Sequence, residues 1–206
     1  MLETSRLECV RGDRRLFTDL SFRLERGTLL EVRGRNGSGK TSLLRILCGL
    51  LPPSAGEVNW NGKNIHNARE EFGAQLAYIG HLNGVKDDLS ALENLLFASG
   101  IAGIATDPAA AHAVLGKAGL DGFQHSPGRT LSQGQRRRIA LARLQLAENQ
   151  SLWILDEPFN ALDVGALALM QTLLAAHLQR GGMIILTTHQ EVAIESGSTQ
   201  RIELGA

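Results

Sequence analysis

Apolar and polar positions alternate with a period of two near residues 2–10, 20–24 and 28–33, which predicts short strands and a β-rich start to the chain. The period then lengthens. Leu43, Leu44, Ile46, Leu47 and Leu50 recur as on one helix face, predicting a helix around 40–50, and Pro52, Pro53 and Gly56 turn the chain into another strand near 56–60. Leu76-Ala77-Tyr78-Ile79 predicts one more strand. From about residue 82 the character changes: alanine-rich, helix-period segments at about 90–100 and 108–119 are separated by Gly103, Asp107 and Pro108, the marks of a small helical insertion. A helix near 133–147 leads into Leu152-Trp153-Ile154-Leu155, a continuous apolar run expected of a strand buried on both faces. A helix at about 164–179, a strand at 183–187 and a final short helix complete the pattern. The fold class expected is α/β: one domain over 1–206, its core from about 1–81 and 136–206, with a helical subdomain at about 82–135.

Composition narrows the function. At 206 residues, 43% hydrophobic and 20% charged, the chain has the makeup of one globular domain. Lys plus Arg equals Asp plus Glu, 21 each, so no global field favours nucleic acid or an anionic membrane, and no nucleic-acid partner is expected. Cys9 and Cys48 show no C-x-x-C spacing and are expected to be buried small hydrophobes in a reducing compartment. The start Met1-Leu2-Glu3-Thr4-Ser5-Arg6 lacks the apolar stretch of a secretory signal, and no apolar run nears the roughly 20 residues of a membrane span. Membrane attachment is therefore expected through a partner.

The chemistry enters at Gly34-Arg35-Asn36-Gly37-Ser38-Gly39-Lys40-Thr41, which fits G-x-x-x-x-G-K-[ST] between an expected strand, Glu31-Val32-Arg33, and an expected helix. In such a P-loop the glycines admit phosphates close to the backbone, N–H groups and the helix start face the anion, Lys40 supplies charge, and Thr41, followed by Ser42, offers a hydroxyl to Mg²⁺. ATP and Mg²⁺ are the expected ligands. The apolar strand ending in Asp156-Glu157 has the Walker B layout: Asp156 is expected in the Mg²⁺ shell through water, and Glu157 is placed to orient or deprotonate the attacking water. Leu131-Ser132-Gln133-Gly134-Gln135 reads first as a helix capping box, whose free N–H groups also make an anion site. His189 follows an apolar strand and Thr187-Thr188, where α/β folds gather ligand-binding groups.

Taken in order, Gly34 to Thr41, Leu131 to Gln135, Leu152 to Pro158, Asn160-Ala161-Leu162-Asp163 and Thr188-His189 resemble the ATP-binding-cassette (ABC) ATPases over essentially the whole chain. The resemblance implies a RecA-like P-loop NTPase core with a β-rich N-terminal subdomain and an inserted helical subdomain. It also implies two cassettes stacked head to tail, so that Ser132, Gly134 and Gln135 meet the γ-phosphate held by the partner's P-loop. By the same resemblance Asp163 links the two sites, Glu157 is the catalytic glutamate, and His189 contacts the γ-phosphate and the water. Two departures stand out: His81 takes the Q-loop glutamine position, with a metal-side role there in question, and Arg11 stands about where an adenine-stacking aromatic is expected. A guanidinium plane can stack on a base or remain solvated. Arg136-Arg137-Arg138 reads as a charge run on a helix face, not as an arginine-rich kinase lid.

Within that family, Tyr78-Ile79-Gly80-His81, Ala91-Leu92-Glu93-Asn94-Leu95, the run Trp153 to Asp163 and Thr187-Thr188-His189-Gln190 resemble the CcmA proteins of cytochrome c biogenesis. That resemblance implies an ATP-hydrolysing subunit for haem export or handover, peripheral on the cytoplasmic face of the inner membrane, with CcmB, CcmC and CcmD as membrane partners. His66, His81, His112, His125 and His177 are scattered and form no haem-ligand set, so direct haem binding is not expected. An ABC transporter for another substrate is the alternative. A DNA-maintenance ATPase would need a long coiled coil between Thr41 and Leu131, and no sustained heptads occur there.

Overall fold

The computed structural model describes residues 1–189 and 192–205. An antiparallel sheet forms first, from β1 (Leu2–Arg11), β2 (Arg14–Leu24), β4 (Ala55–Trp60) and β5 (Lys63–Asn64), in the order β2-β1-β4-β5. The second sheet is wholly parallel: β6 (Leu76–Ile79), β7 (Leu152–Asp156), β8 (Met183–Thr187), β3 (Thr28–Gly34) and β9 (Ser198–Leu204), in the order β6-β7-β8-β3-β9. Its strands are separated by α1 (Lys40–Leu47), α2 (Arg69–Gly73), α3 (Ala91–Ile101), α4 (Pro108–Lys117), α5 (Gln133–Leu146) and α6 (Val164–Gln179).

Alternation along β7 explains how the layers join. Leu152 and Ile154 point into a core shared with Leu43, Leu44 and Leu47 of α1 and with Leu2, Leu7 and Leu24 of the antiparallel sheet. Trp153 and Leu155 point to the other face, where Met170, Leu174 and Leu178 of α6 and Ala140 and Leu144 of α5 cover them. Burial on both faces is why the strand is apolar at every position from 152 to 155. Beneath β7 the Trp153 indole stacks on the His177 imidazole with ring centroids 3.8 Å apart, and burial, with Arg180 second, pushes the His177 pKa down to about 4.

A third core lies among the helices: Ala91 and Leu95 of α3, Ala111 and Leu115 of α4, and Ile139 and Ala142 of α5, joined by Leu120 and Leu131 from the connecting segments. The starts of these helices are set by side chains. Ser90 and Glu93 form a capping box at α3, and Asp107 with Pro108 at the first position begins α4.

The sequence pattern is corrected in three places. β2 begins at Arg14, ahead of the 20–24 segment expected, because its mostly exposed residues and a left-handed Asp19 (φ 52°) break the alternation. The β5 pairing and α2 were not expected. Residues 192–197 carry no helix, and Ser198–Leu204 instead pairs along β3; residues 190 and 191 of the expected final helix lie outside the described residues. Among the described residues no helix is long and apolar enough to cross a membrane, and Cys9 and Cys48 are buried free thiols.

Candidate nucleotide site

The carboxyl ends of β3, β7 and β8 gather the motif residues, as expected for ligand sites in open parallel sheets. A cleft of about 480 Å³ opens there, lined by Leu16, Asn36, Gly37, Gly39, Lys40, Thr41, Ser42, His81 and Glu157. The loop under it permits no bulk. A Cβ on Gly34 would lie 2.4 Å from the Leu204 carbonyl oxygen and 2.7 Å from Ser38 Oγ. Gly39 caps α1 in the left-handed region (φ 103°), a conformation glycine adopts without steric cost, and no side chain caps this helix start. The first-turn amides of α1 are thus left for a ligand, and in the same loop Ser38 Oγ is buried with no hydrogen-bond partner among the described residues. Lys40, only 7% exposed, donates from Nζ to the carbonyls of Gly34 (2.8 Å) and Arg35 (3.2 Å). Those uncapped amides and the buried ammonium fit a polyphosphate.

The floor of the cleft brings hard oxygen atoms together. Thr41 Oγ1 donates to Asp156 Oδ2 at 2.8 Å, and Thr187 Oγ1 donates to Asp156 Oδ1 at 2.7 Å. A hydroxyl beside a carboxylate is a donor set suited to Mg²⁺, which prefers oxygen. His81 does not join them. Its Nδ1 lies 3.7 Å from Glu157 Oε2, at the lip of the same cleft. Among the described residues, no group of three or more His, Cys, Asp or Glu could hold a metal ion by itself.

Glu157 is held with unusual thoroughness. Its backbone is left-handed (φ 50°), a region that costs a non-glycine residue on the order of 1–3 kcal/mol unless its surroundings fix it. Its amide donates to Thr187 Oγ1 (2.8 Å), and its carbonyl accepts from Arg137 Nη2 (2.7 Å). Its carboxylate meets His189 Nε2 at 3.2 Å, His81 Nδ1 at the longer distance above, and Asn160 Nδ2. His189 and Glu157 therefore face one another across the lip.

The remaining sequence-predicted residues lie elsewhere. Ser132, Gly134 and Gln135 stand at the exposed start of α5, where Ser132 Oγ accepts from the Gln135 amide and Gln135 Oε1 accepts from the Ser132 amide. Asp163 caps α6 through the Ala166 amide (2.8 Å) and pairs with Arg138; the amide and then the guanidinium hold its carboxyl below the usual range. Neither group lines this chain's cleft. Arg11 ends β1 opposite Arg14 across the Gly12-Asp13 turn, and it is not among the residues that line the cleft. The facing strand is β2, because Leu16 and Phe17 pack on Gly39, at 3.0 and 3.3 Å from where its Cβ would be. Leu16 also lines the cleft, and Arg14 Nη1 lies 3.7 Å from where a Cβ on Gly37 would be.

The arginine triplet is also not a charge run. Arg136 pairs with Asp87 at 2.8 Å, Arg138 pairs with Asp163, and Arg137 is buried at 4% exposure against main-chain carbonyls. The signal for Arg137 is in the sequence: with Ala140, Leu141 and Leu144 it falls at i, i+3, i+4 and i+7, the buried stripe of α5. Thr187 is fully buried and bonded to both Walker B residues, whereas the sequence marks it only as half of a polar pair.

Comparison with known proteins places the chain in a family. The family described as ABC transporter matches residues 17–160. A cytochrome c biogenesis ATP-binding export protein CcmA from Dechloromonas aromatica is 53% identical over 205 residues, covering all of both chains. CcmA proteins from Nitrosospira multiformis (51%, covering 98% of each chain) and Pseudomonas aeruginosa (48%, covering 98% of this chain and 99% of that one) are similar. Among solved structures, the ATP-binding subunit of an ABC transporter superposes with a TM-score of 0.80 at 26% identity, covering 91% of this chain and 79% of that one. A dimeric ATP-binding cassette with ADP and Pi shares the fold at a TM-score of 0.80 and 22% identity, covering 92% and 88%. With a family match over most of its length and relatives half identical from end to end, the chain belongs to the ATP-binding subunits of ABC transporters and, within them, to the CcmA family.

Proposed function

We propose that this chain is the ATP-hydrolysing subunit of a membrane export complex for cytochrome c biogenesis, driving haem export or handover. It works on the cytoplasmic face of the inner membrane with CcmB-, CcmC- and CcmD-type subunits. The observation that carries the reading is Glu157, fixed at the lip of the P-loop cleft with its carboxylate against His189. Membership of the CcmA family supports the cytochrome c role.

The P-loop amides from Gly34 to Thr41, the α1 start with Ser42, and the Lys40 ammonium bind the triphosphate and offset its charge. Leu16 offers an apolar wall to the base. Thr41 and Asp156 are the residues that would hold Mg²⁺, which when bound neutralises charge on the β- and γ-phosphate oxygens. Glu157 orients the attacking water and takes its proton, and His189 donates to the γ-phosphate. Ser132, Gly134 and Gln135 of a second copy, stacked head to tail, close over that phosphate, with Asp163 at the junction between the two sites. The helical subdomain at about 82–135 passes closure to the membrane subunits, and hydrolysis in the core at about 1–81 and 136–206 reopens the pair.

The test is to tag Glu157→Gln in the native host, solubilise membranes with ATP-Mg present, identify the co-purifying proteins and record the haem absorption spectrum. Cytochrome-maturation membrane subunits are expected. Recovery of a different permease would keep the ATPase and overturn the cytochrome c role.

A further inference from the structure

We propose that Arg137 is a positioning residue for hydrolysis: from the second turn of α5 it sets the two strand ends that carry His81 and Glu157. This rests on reading Glu157 as the group that handles water. Arg137 Nη1 donates to the Gly80 carbonyl (3.2 Å) and Asn83 Oδ1 (3.1 Å), just past β6. Arg137 Nη2 donates to the carbonyls of Asp156 (3.0 Å) and Glu157 (2.7 Å), at the end of β7. One planar fork therefore spans both segments, a geometry an ammonium cannot reproduce.

The choice of acceptors separates this arginine from its neighbours. Arg136 and Arg138 face carboxylates, whereas among the described residues Arg137 donates to neutral carbonyl and amide oxygens. Burying a guanidinium without a carboxylate in direct contact is costly, and an apolar residue would fit the same stripe of α5. Burial lowers the Arg137 pKa, and Asp156 and Glu157 oppose that fall. Among the described residues Nε is buried with no hydrogen-bond partner, so the terminal nitrogens do the bracing. What the fork secures is the left-handed turn at Glu157: Thr187 fixes the amide on one side of that residue and Arg137 fixes the carbonyl on the other.

Position along α5 gives the brace a direction. Ser132, Gly134 and Gln135 lie at the start of the same helix, within five residues of Arg137. A shift of that start is carried by the guanidinium to the backbone of Glu157 and to Gly80, the residue before His81. Engagement of the exposed helix start then resets the carboxylate at this chain's own cleft.

The experiment compares Arg137→Met, Arg137→Lys and Glu157→Gln in the full chain assembled with its membrane subunits, reading kcat, KM for ATP, nucleotide affinity and melting temperature. Misplacing a catalytic group by about an ångström can cost about 100-fold, so Arg137→Met is expected to lower kcat roughly 10- to 100-fold, with nucleotide affinity within about threefold of the parent. Arg137→Lys, which keeps the charge but reaches fewer acceptors, is expected to recover part of the loss. A folded Arg137→Met complex with parental kcat, or one losing affinity and kcat in equal measure, would overturn the proposal. If Arg137→Met does not accumulate, parental kcat in Arg137→Lys overturns it instead. Should Glu157→Gln turn over normally, the underlying reading of Glu157 fails; should only the Arg137 variants do so, this inference fails alone.

Discussion

Two helix starts in this chain offer positive ends to an anion, and they are finished in opposite ways. α1 begins behind a left-handed glycine with no side-chain cap, and its first residue, Lys40, is buried in the wall of the cleft. α5 begins with a complete capping box on the surface, where Ser132 and Gln135 satisfy one another's amides. The first leaves its donors for a ligand and is enclosed by its own chain, through Leu16, Thr41 and Glu157. The second is already stable in isolation, yet the Ser132 hydroxyl accepts from Gln135 and so retains its own hydrogen to donate. One start opens into a cleft of its own chain; the other is capped on the surface.

The largest effect expected at the α1 end is on turnover. Replacing Glu157 with Gln should lower kcat about 10²- to 10⁴-fold while leaving ATP affinity unchanged, as read by single-turnover kinetics and nucleotide titration. Parental hydrolysis would remove Glu157 from the chemistry.

Acid tests the scaffold on which both starts stand. The His177 pKa is depressed to about 4 in the folded chain from an ordinary value of 6.5. Between those values the unfolded chain binds a proton that the folded chain does not, so stability falls as pH drops through that window, by up to about 3 kcal/mol. His177→Phe, which keeps the stack on Trp153, should flatten that slope in denaturant melts taken at stepped pH. An unchanged slope would place the acid-sensitive group elsewhere.

Lys40→Ala should weaken ATP binding by roughly 10- to 100-fold, the worth of charge-assisted hydrogen bonds, with the folded chain retained. The smallest effect separates the two faces of the β1–β2 hairpin: Leu16→Ala should cost severalfold in nucleotide affinity, about 1 kcal/mol of apolar contact, whereas Arg11→Ala should change it by less than about twofold. Isothermal titration distinguishes these outcomes, and the reverse order would put Arg11 rather than Leu16 against the base.

Much of this contrast is legible in the sequence because it is local. The P-loop, the apolar run into Asp156-Glu157 and the capping box are contiguous strings, and residues 76–79, 164–179 and 183–187 take the strands and helix their periodicity predicts. What is not legible is set by distant partners. β9 has few apolar positions and is an exposed edge strand, held by its ladder to β3 and by Arg201 on Glu31 across 170 residues. Arg11 and Leu16 differ only in which strand of a hairpin faces the P-loop, which no local pattern reports. Arg137 sits between two arginines that pair on the surface, and only its place on the buried stripe of α5 distinguishes it.

The most direct measurement is the mass in solution of Glu157→Gln at saturating ATP-Mg, alone and combined with Ser132→Ala, by light scattering alongside nucleotide titration. The predicted result is a dimer for Glu157→Gln, a monomer for the combined variant, and equal nucleotide affinity in both. A Glu157→Gln chain that stays monomeric when saturated, or a combined variant that dimerises equally well, would contradict the claim that the α5 start completes the site of a second copy.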